Sequence, residues 1–241
     1  LIQYLVLTII TIPIIFSPLG HYIPKQRKIA SRLYRGCYQA LNIQLVINGQ
    51  PTQQPALWVC NHISWLDILI LAGNNALDFI AKSEVASWPI IGKVIRRTGT
   101  LFIERDNIFK AYKALPELQQ RIQSGVPVLV FPEGTTSSGE SVLPFKPMFY
   151  QAAIRGNMLI QPISIHYERS DGSLCKEVAF IGDDDFSVSF KGILKQPKIF
   201  AHITYLPAIE AKQWHRKHMA LLNQQQINKI INGTSNKQAY D

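Results

Sequence analysis

Cysteine is scarce in this chain: three among 241 residues, Cys37, Cys60 and Cys175, with no C-x-x-C spacing. That argues against a disulfide framework and a cysteine-ligated zinc site, and the thiols read as small buried hydrophobes in a reducing compartment. Charge is scarce too, at 17% of residues, where soluble domains carry roughly 25%. With 47% hydrophobic residues, that shortage excludes intrinsic disorder as the main state. Acidic groups are the rarer sign, 16 against 25 basic, so the chain carries a net +9. An anionic partner follows, whether nucleic acid, acidic protein or lipid surface, and low charge density favours the lipid surface. Neither a nucleophile elbow, G-x-S-x-G, nor a Walker A loop, G-x-x-x-x-G-K-[ST], is present.

What the chain does have begins with an apolar run. Residues 1–16 carry no charge, and Lys25, Arg27, Lys28, Arg32 and Arg35 follow within a span of eleven residues. An apolar run with a basic flank reads as a membrane anchor whose positive side faces the cytoplasm. Pro13 and Pro18 interrupt it, so it dips into or barely spans one membrane. Each basic residue near an anionic leaflet contributes roughly 1 kcal/mol. Residues 1–42 are therefore expected to form an anchoring and juxtamembrane segment, and 43–241 the folded domain.

Within that domain, short apolar runs alternate with helical periodicity. Strands are predicted at 56–60, 78–82, 100–104, 126–131, 159–167 and 198–206, and helices at 64–74, 84–97, 108–123 and 147–155. A polar amphipathic helix closed by Gly233 ends the chain. The expected class is α/β, a mostly parallel or mixed central sheet flanked by helices, with an N-terminal membrane-anchoring helical segment.

The chemically capable residues fall just after strands. His62 follows strand 56–60, Arg105 follows 100–104, and Glu133 follows 126–131. The carboxyl ends of parallel strands line one crevice, so three segments deliver a base, a cation and a carboxylate to one place. In Asn61-His62-x4-Asp67, positions five apart on one helix would point about 140° away from each other. The pair meets only if His62 lies in the loop and Asp67 in the first helical turn, with Ser64 as N-cap and Asp67 at N3. A carboxylate on one ring nitrogen then leaves the other free as a base. A second H-x4-D, His166 to Asp171, runs into turn residues with no helix and reads as coincidence.

Arg105 ends Gly99-x-x-Phe102-Ile103-x-Arg105, and its planar fork suits phosphate or carboxylate. A surface ion pair with Asp106 or Glu133 is the plainer alternative. In Phe131-Pro132-Glu133-Gly134-Thr135, Gly134 lets backbone approach a ligand, while a capped turn is the plainer alternative. His215-x-x-His218, flanked by Arg216 and Lys217, reads as a solvated face, not a metal site.

Taken in order, these three blocks, with Pro162-Ile163 as a weaker fourth, resemble the 1-acyl-sn-glycerol-3-phosphate acyltransferase (lysophospholipid acyltransferase) family over about residues 50–165. Glu104 departs from the family's more frequent Asp but keeps the charge. The resemblance implies transfer of an acyl group from acyl-CoA or acyl carrier protein to the hydroxyl of lysophosphatidic acid. His62 would be the base and Asp67 its orienter. It also implies that Arg105 holds the acceptor's phosphate and that Glu133, Gly134 and Thr135 position its glycerol. Lys82 and Lys146 would add charge there or remain solvated surface. No metal ion and no bound cofactor are needed, the thioester being a co-substrate. The run 131–139 with Leu143-Pro-Phe-Lys146 also resembles lyso-ornithine lipid acyltransferases. A non-catalytic membrane-surface module is the rival class, and nucleic acid is not expected as a partner. The expected location is the cytoplasmic face of a bacterial inner membrane.

Overall fold

The computed structural model describes residues 24–83, 86, 99–103, 112–182 and 184–237. The apolar run 1–16, Arg105 and nearly all of the helix expected at 84–97 lie outside the described residues, as does the Lys82 side chain. The elements run α1 Pro24–Ala40, β1 Ile43–Asn48, β2 Ala56–Cys60, α2 Leu66–Asn74, β3 Asp78–Lys82, β4 Leu101–Ile103, α3 Leu115–Gln123 and β5 Val128–Val130. They continue α4 Tyr150–Arg155, β6 Leu159–Arg169, α5 Phe186–Leu194, β7 Ile199–Tyr205, β8 Ile209–Glu210 and α6 Arg216–Lys237.

The strands form one eight-stranded sheet in the order β1-β7-β6-β2-β5-β3-β4, with β8 on β6. From β6 to β4 every pairing is parallel, whereas β7 and β8 pair antiparallel with β6. The sheet is therefore mixed with a parallel centre, as its alternating pattern predicts. β2 lies between β5 and β6, and all five of its residues are buried. Continuous burial of this kind requires cover on both faces. Trp58 and Cys60 face the side packed by Tyr34 and Tyr38 of α1 and Leu66 and Ile70 of α2. Leu57 and Val59 face Leu118 of α3, Tyr150 of α4 and Ile227 of α6. Strand tips thus stand on a frame held from two sides.

The basic segment expected to face lipid is partly turned inward. α1 lies against α2, and Ser31 Oγ and Arg35 Nε both donate to the Gly73 carbonyl, at 3.0 and 3.2 Å. Arg27 donates to the buried Asp78 carboxylate at 2.8 Å. Among the described residues no helix is long and apolar enough to cross a membrane. A side chain at Gly73 would put its Cβ 2.8 Å from the Arg35 amide nitrogen. Gly73→Val is accordingly expected to destabilise the fold by about 1–3 kcal/mol through overpacking. The readout is thermal melting, about 2–4 °C lower per kcal/mol in a chain this size. An unchanged midpoint would show that the helices can separate there freely.

Two boundaries differ from expectation for local reasons. Pro116 stands in the first turn of α3, where it has no amide to lose, so that helix starts at Leu115 instead of running unbroken from 108. The last helix continues through Gly233 to Lys237. Gly233 lacks the positive φ of a helix-ending glycine.

Candidate active site

The site grows from the tip of β2. Asn61 is buried, accepting the Ile165 amide and donating to the Ile165 carbonyl, both at 2.9 Å. These two bonds pin the loop to β6 one residue before His62. The loop then turns into α2, and Asp67 in its first turn folds back. His62 Nδ1 lies 2.7 Å from Asp67 Oδ2. The same oxygen accepts the amides of Ile63 at 2.7 Å and Ser64 at 3.0 Å, and the other takes the Tyr167 hydroxyl at 2.5 Å. With the carboxylate as acceptor, the imidazole proton sits on Nδ1 and Nε2 presents its lone pair. The ring stacks on Phe131, centroids 3.8 Å apart, and its side chain keeps 16% exposure while Asp67 has none.

The capping arrangement differs from the one predicted. Trp65, not Ser64, is the N-cap residue of α2, and the Ser64 hydroxyl is buried without a hydrogen-bond partner. The reason is that Asp67 reaches past the helix start to the two loop amides. It shapes the loop that carries His62 instead of closing the helix.

Glu133 arrives by register. Val59 of β2 pairs with Val130 of β5, so residues three further on, His62 and Glu133, stand opposite each other. Glu133 is buried, and its oxygens accept the amides of His62 at 2.6 Å and Leu143 at 2.9 Å. Burial pushes this carboxyl up to about 7, against the two amide bonds, which favour its ionised form. The His62 carbonyl in turn accepts Ser137 N at 2.8 Å and Ser137 Oγ at 3.1 Å. Both sides of the His62 backbone are thus bonded to the turn after β5.

The rim carries the polar groups that a ligand would meet. Gly134 has a φ of +76°, and a methyl there would sit 2.7 Å from Lys146 Nζ, so the exposed ammonium lies over the glycine. Thr135 is exposed beside it. Lys82 is the last residue of β3, at the same edge of the sheet. On the other flank Trp65 packs on Phe186 and Phe190, centroids 5.0 and 6.3 Å away, and donates to Ser189 Oγ at 3.2 Å. Phe180 N donates to the Ile63 carbonyl at 3.0 Å, and Thr136 Oγ1 donates to the Phe180 carbonyl. The segment from 180 to 190 is therefore strapped to the His62 loop as an apolar wall.

Cys60 lies two residues from His62 but is fully buried, and burial, then the charges of Asp67 and Glu133, hold its thiol well above its ordinary value. Burial likewise raises the Cys175 thiol to about 11. Neither is an activated nucleophile.

The family model "Acyltransferase" matches residues 43–166, about half of the chain. The chain belongs to the acyltransferase family. It is 34% identical over 211 residues to a lyso-ornithine lipid O-acyltransferase of Pseudomonas aeruginosa, covering 88% of this chain and 81% of that one. It is 35% identical over 152 residues to a 1-acyl-sn-glycerol-3-phosphate acyltransferase of Neisseria gonorrhoeae, covering 62% and 60%. The crystal structure of the 1-acyl-sn-glycerophosphate acyltransferase PlsC from Thermotoga maritima shares the fold, with a TM-score of 0.69 at 21% identity over 97% of each chain.

In this acyltransferase the structure joins His62, Asp67, Glu133 and Gly134, with Lys146 over the glycine. Tyr167 escaped sequence reasoning, as did the bonds made by Asn61 and Ser137. Tyr167 is a hundred residues from Asp67, and only its buried hydroxyl on β6 marks it. Asn61 was visible in the motif, but its bonds to β6 were not. Ser137 could have been found from the hydroxyl run after Gly134. The second H-x4-D stays apart as expected, since Asp171 accepts the Ser173 amide and hydroxyl in a turn.

Proposed function

We propose that this acyltransferase moves a fatty acyl group from a thioester, acyl-CoA or acyl carrier protein, to the free hydroxyl of a lysolipid. His62 acts as general base. The observation that carries the reading is the 2.7 Å contact between His62 Nδ1 and the buried Asp67, which turns Nε2 toward the ligand side. A hydroxyl attacks a thioester poorly until its proton is taken in the transition state, and a positioned base supplies typically 10²–10⁴-fold. As the hydroxyl oxygen bonds to the acyl carbon, its proton passes to Nε2, and the departing thiolate takes a proton as the carbon–sulfur bond breaks. Direct transfer suits a site whose nearest thiol is buried and held protonated.

Glu133 acts in this scheme through the backbone it holds, keeping His62 and the turn at 134–137 in one frame. Gly134 and Thr135 then receive the acceptor's polar portion, with Arg105, Lys82 and Lys146 supplying positive charge around it. The wall of Trp65, Phe186 and Phe190 offers an apolar path for acyl chains, in keeping with a membrane-bound acceptor. Residues 1–16 and the basic flank would hold the enzyme at the cytoplasmic face.

For the acceptor, the lyso-ornithine lipid relatives align over more of the chain, 88% and 83%, than the lysophosphatidic acid relatives, 62% and 58%. Lyso-ornithine lipid is therefore the acceptor we favour. Lysophosphatidic acid is the second reading, favoured by the ammonium over Gly134, which suits a phosphate. Purified enzyme assayed with both acceptors and both donors decides between them. A higher kcat/KM is expected with lyso-ornithine lipid. Higher values with lysophosphatidic acid would assign the second reading, and turnover of neither would overturn both.

A further inference from the structure

We propose that His166, Glu168 and His202 form a binding site for one divalent transition-metal ion of the zinc class. The site is separate from the acyl-transfer centre. β6 and β7 pair antiparallel with His166 directly opposite His202, and Glu168 lies two residues on, hence on the same face as His166. The two imidazoles stack with centroids 4.6 Å apart and planes 12° from parallel. His166 Nε2 lies 3.3 Å from Glu168 Oε1, and His202 Nε2 lies 2.9 Å from Glu168 Oε2. All three donor atoms fall within 4.8 Å of one another.

The two histidine–glutamate separations are close to what a tetrahedral ion asks for. Metal–nitrogen and metal–oxygen bonds of about 2.0–2.2 Å place neighbouring donors roughly 3.3 Å apart. Two imidazoles and one carboxylate are a donor set suited to zinc and its neighbours, less to magnesium or calcium. The strands supply rigidity, since the ligands sit on paired backbone and not on a loop. Glu168 and His202 keep about a fifth of their side chains exposed, 19% and 21%, which gives an ion an entry path and leaves water for the fourth position.

The support around His166 is incomplete. His166 is 5% exposed, yet its Nδ1 is buried without a hydrogen-bond partner. The bare Nδ1 sets the strength. Ligating histidines normally pass their other N–H to a partner, worth about 10–100-fold in affinity. The expected affinity is therefore about 10–100-fold weaker than that of a fully supported zinc site.

The site does not belong to the catalytic machinery. Along β6 the neighbours Ile165 and Tyr167 face the α1/α2 side, where Tyr167 reaches Asp67, so His166 projects from the other face. Nor does it involve His215 and His218, which are exposed on the C-terminal helix and its lead-in.

The test uses the full chain, stripped with a chelator and dialysed. Zinc is titrated against a chromophoric competitor, and cobalt(II) is added separately to read geometry from its visible absorption. One equivalent bound, with intense tetrahedral cobalt bands, is expected. His202→Ala, at a partly exposed position, should weaken binding at least tenfold and abolish the bands with the fold intact, and Glu168→Gln should do the same. The double variant His215→Ala/His218→Ala should change neither. The proposal is overturned by binding below one equivalent, by affinity unchanged in folded His202→Ala, or by loss of binding in the double variant.

Discussion

Substituting His62 with Ala is expected to lower kcat by at least about 10³-fold while leaving the fold intact. The two effects separate because of how Asp67 is held. Without the imidazole, its carboxylate still accepts the amides of Ile63 and Ser64 and the Tyr167 hydroxyl. The loop also keeps Asn61 on β6 and the bonds of the residue-62 backbone to Glu133 and Ser137. What disappears is a side chain 16% exposed, stacked on Phe131, and with it the group that takes the proton. Loss confined to the chemical step lowers kcat and kcat/KM together and leaves KM near its original value. Activity and thermal melting of the same preparation check this. A folded variant within tenfold of the parent would remove His62 from its role as base.

A second large effect is expected at Glu133, in pH dependence as well as in rate. Its carboxyl has an ordinary value of 4.5 and is raised to about 7 in the folded chain, chiefly by burial. Below about pH 4.5 it is protonated whether folded or unfolded, and its favourable contribution to stability is fully present. Between 4.5 and 7 the unfolded chain ionises first, so that contribution shrinks as pH rises, by about 3 kcal/mol over the interval. Above 7 it is gone. Glu133→Gln removes the titration, so the difference in denaturation midpoint between parent and variant should change with this sign between pH 5 and 8. A difference that stays constant over that range would show that Glu133 ionises as an ordinary carboxyl.

The same variant reports on the role of the residue. An amide side chain has one oxygen acceptor where the carboxylate has two, so either His62 N or Leu143 N loses its partner. A buried amide left unpaired costs about 1–3 kcal/mol and shifts the backbone that carries the base. The expected result is a fall in kcat of about 10–100-fold with KM little changed. A rise in KM alone would instead place Glu133 against the acceptor, as the family resemblance implied.

Much of the frame was legible in the residues themselves. The spans of β2 and β3 were read to the residue: β2 is a short continuous apolar run, and β3 sets Phe79-Ile80-Ala81 between Asp78 and Lys82. The meeting of His62 with Asp67 followed from a steric argument about helix geometry, and the opposition of Glu133 from strand ends sharing one edge. Other parts were hidden. In α1 the residues that enter the core, Ala30, Tyr34 and Tyr38, recur at helical spacing, but the basic residues among them drew attention to the surface. In α5 the order Phe186-Ser-Val-Ser-Phe190 alternates like a strand. The signal against that reading was Asp185, which caps the helix by accepting the amides of Ser187 and Val188. β1 is a half-exposed edge strand with too mixed a pattern to stand out. Contacts such as Tyr167 to Asp67 depend on how the sheet is ordered, and no local pattern carries that.

The double attachment of the His62 backbone to the turn after β5 divides labour within the molecule. His62 and the turn at 134–137 form a single rigid casting, so under the proposed function neither proton transfer nor headgroup binding can be reshaped without spoiling the other. The strap touches that casting through the Phe180 amide on the Ile63 carbonyl, the Thr136 hydroxyl on the Phe180 carbonyl and one tryptophan. Exchanging the strap is therefore expected to alter acyl-chain preference, whereas headgroup preference stays with the turn after β5.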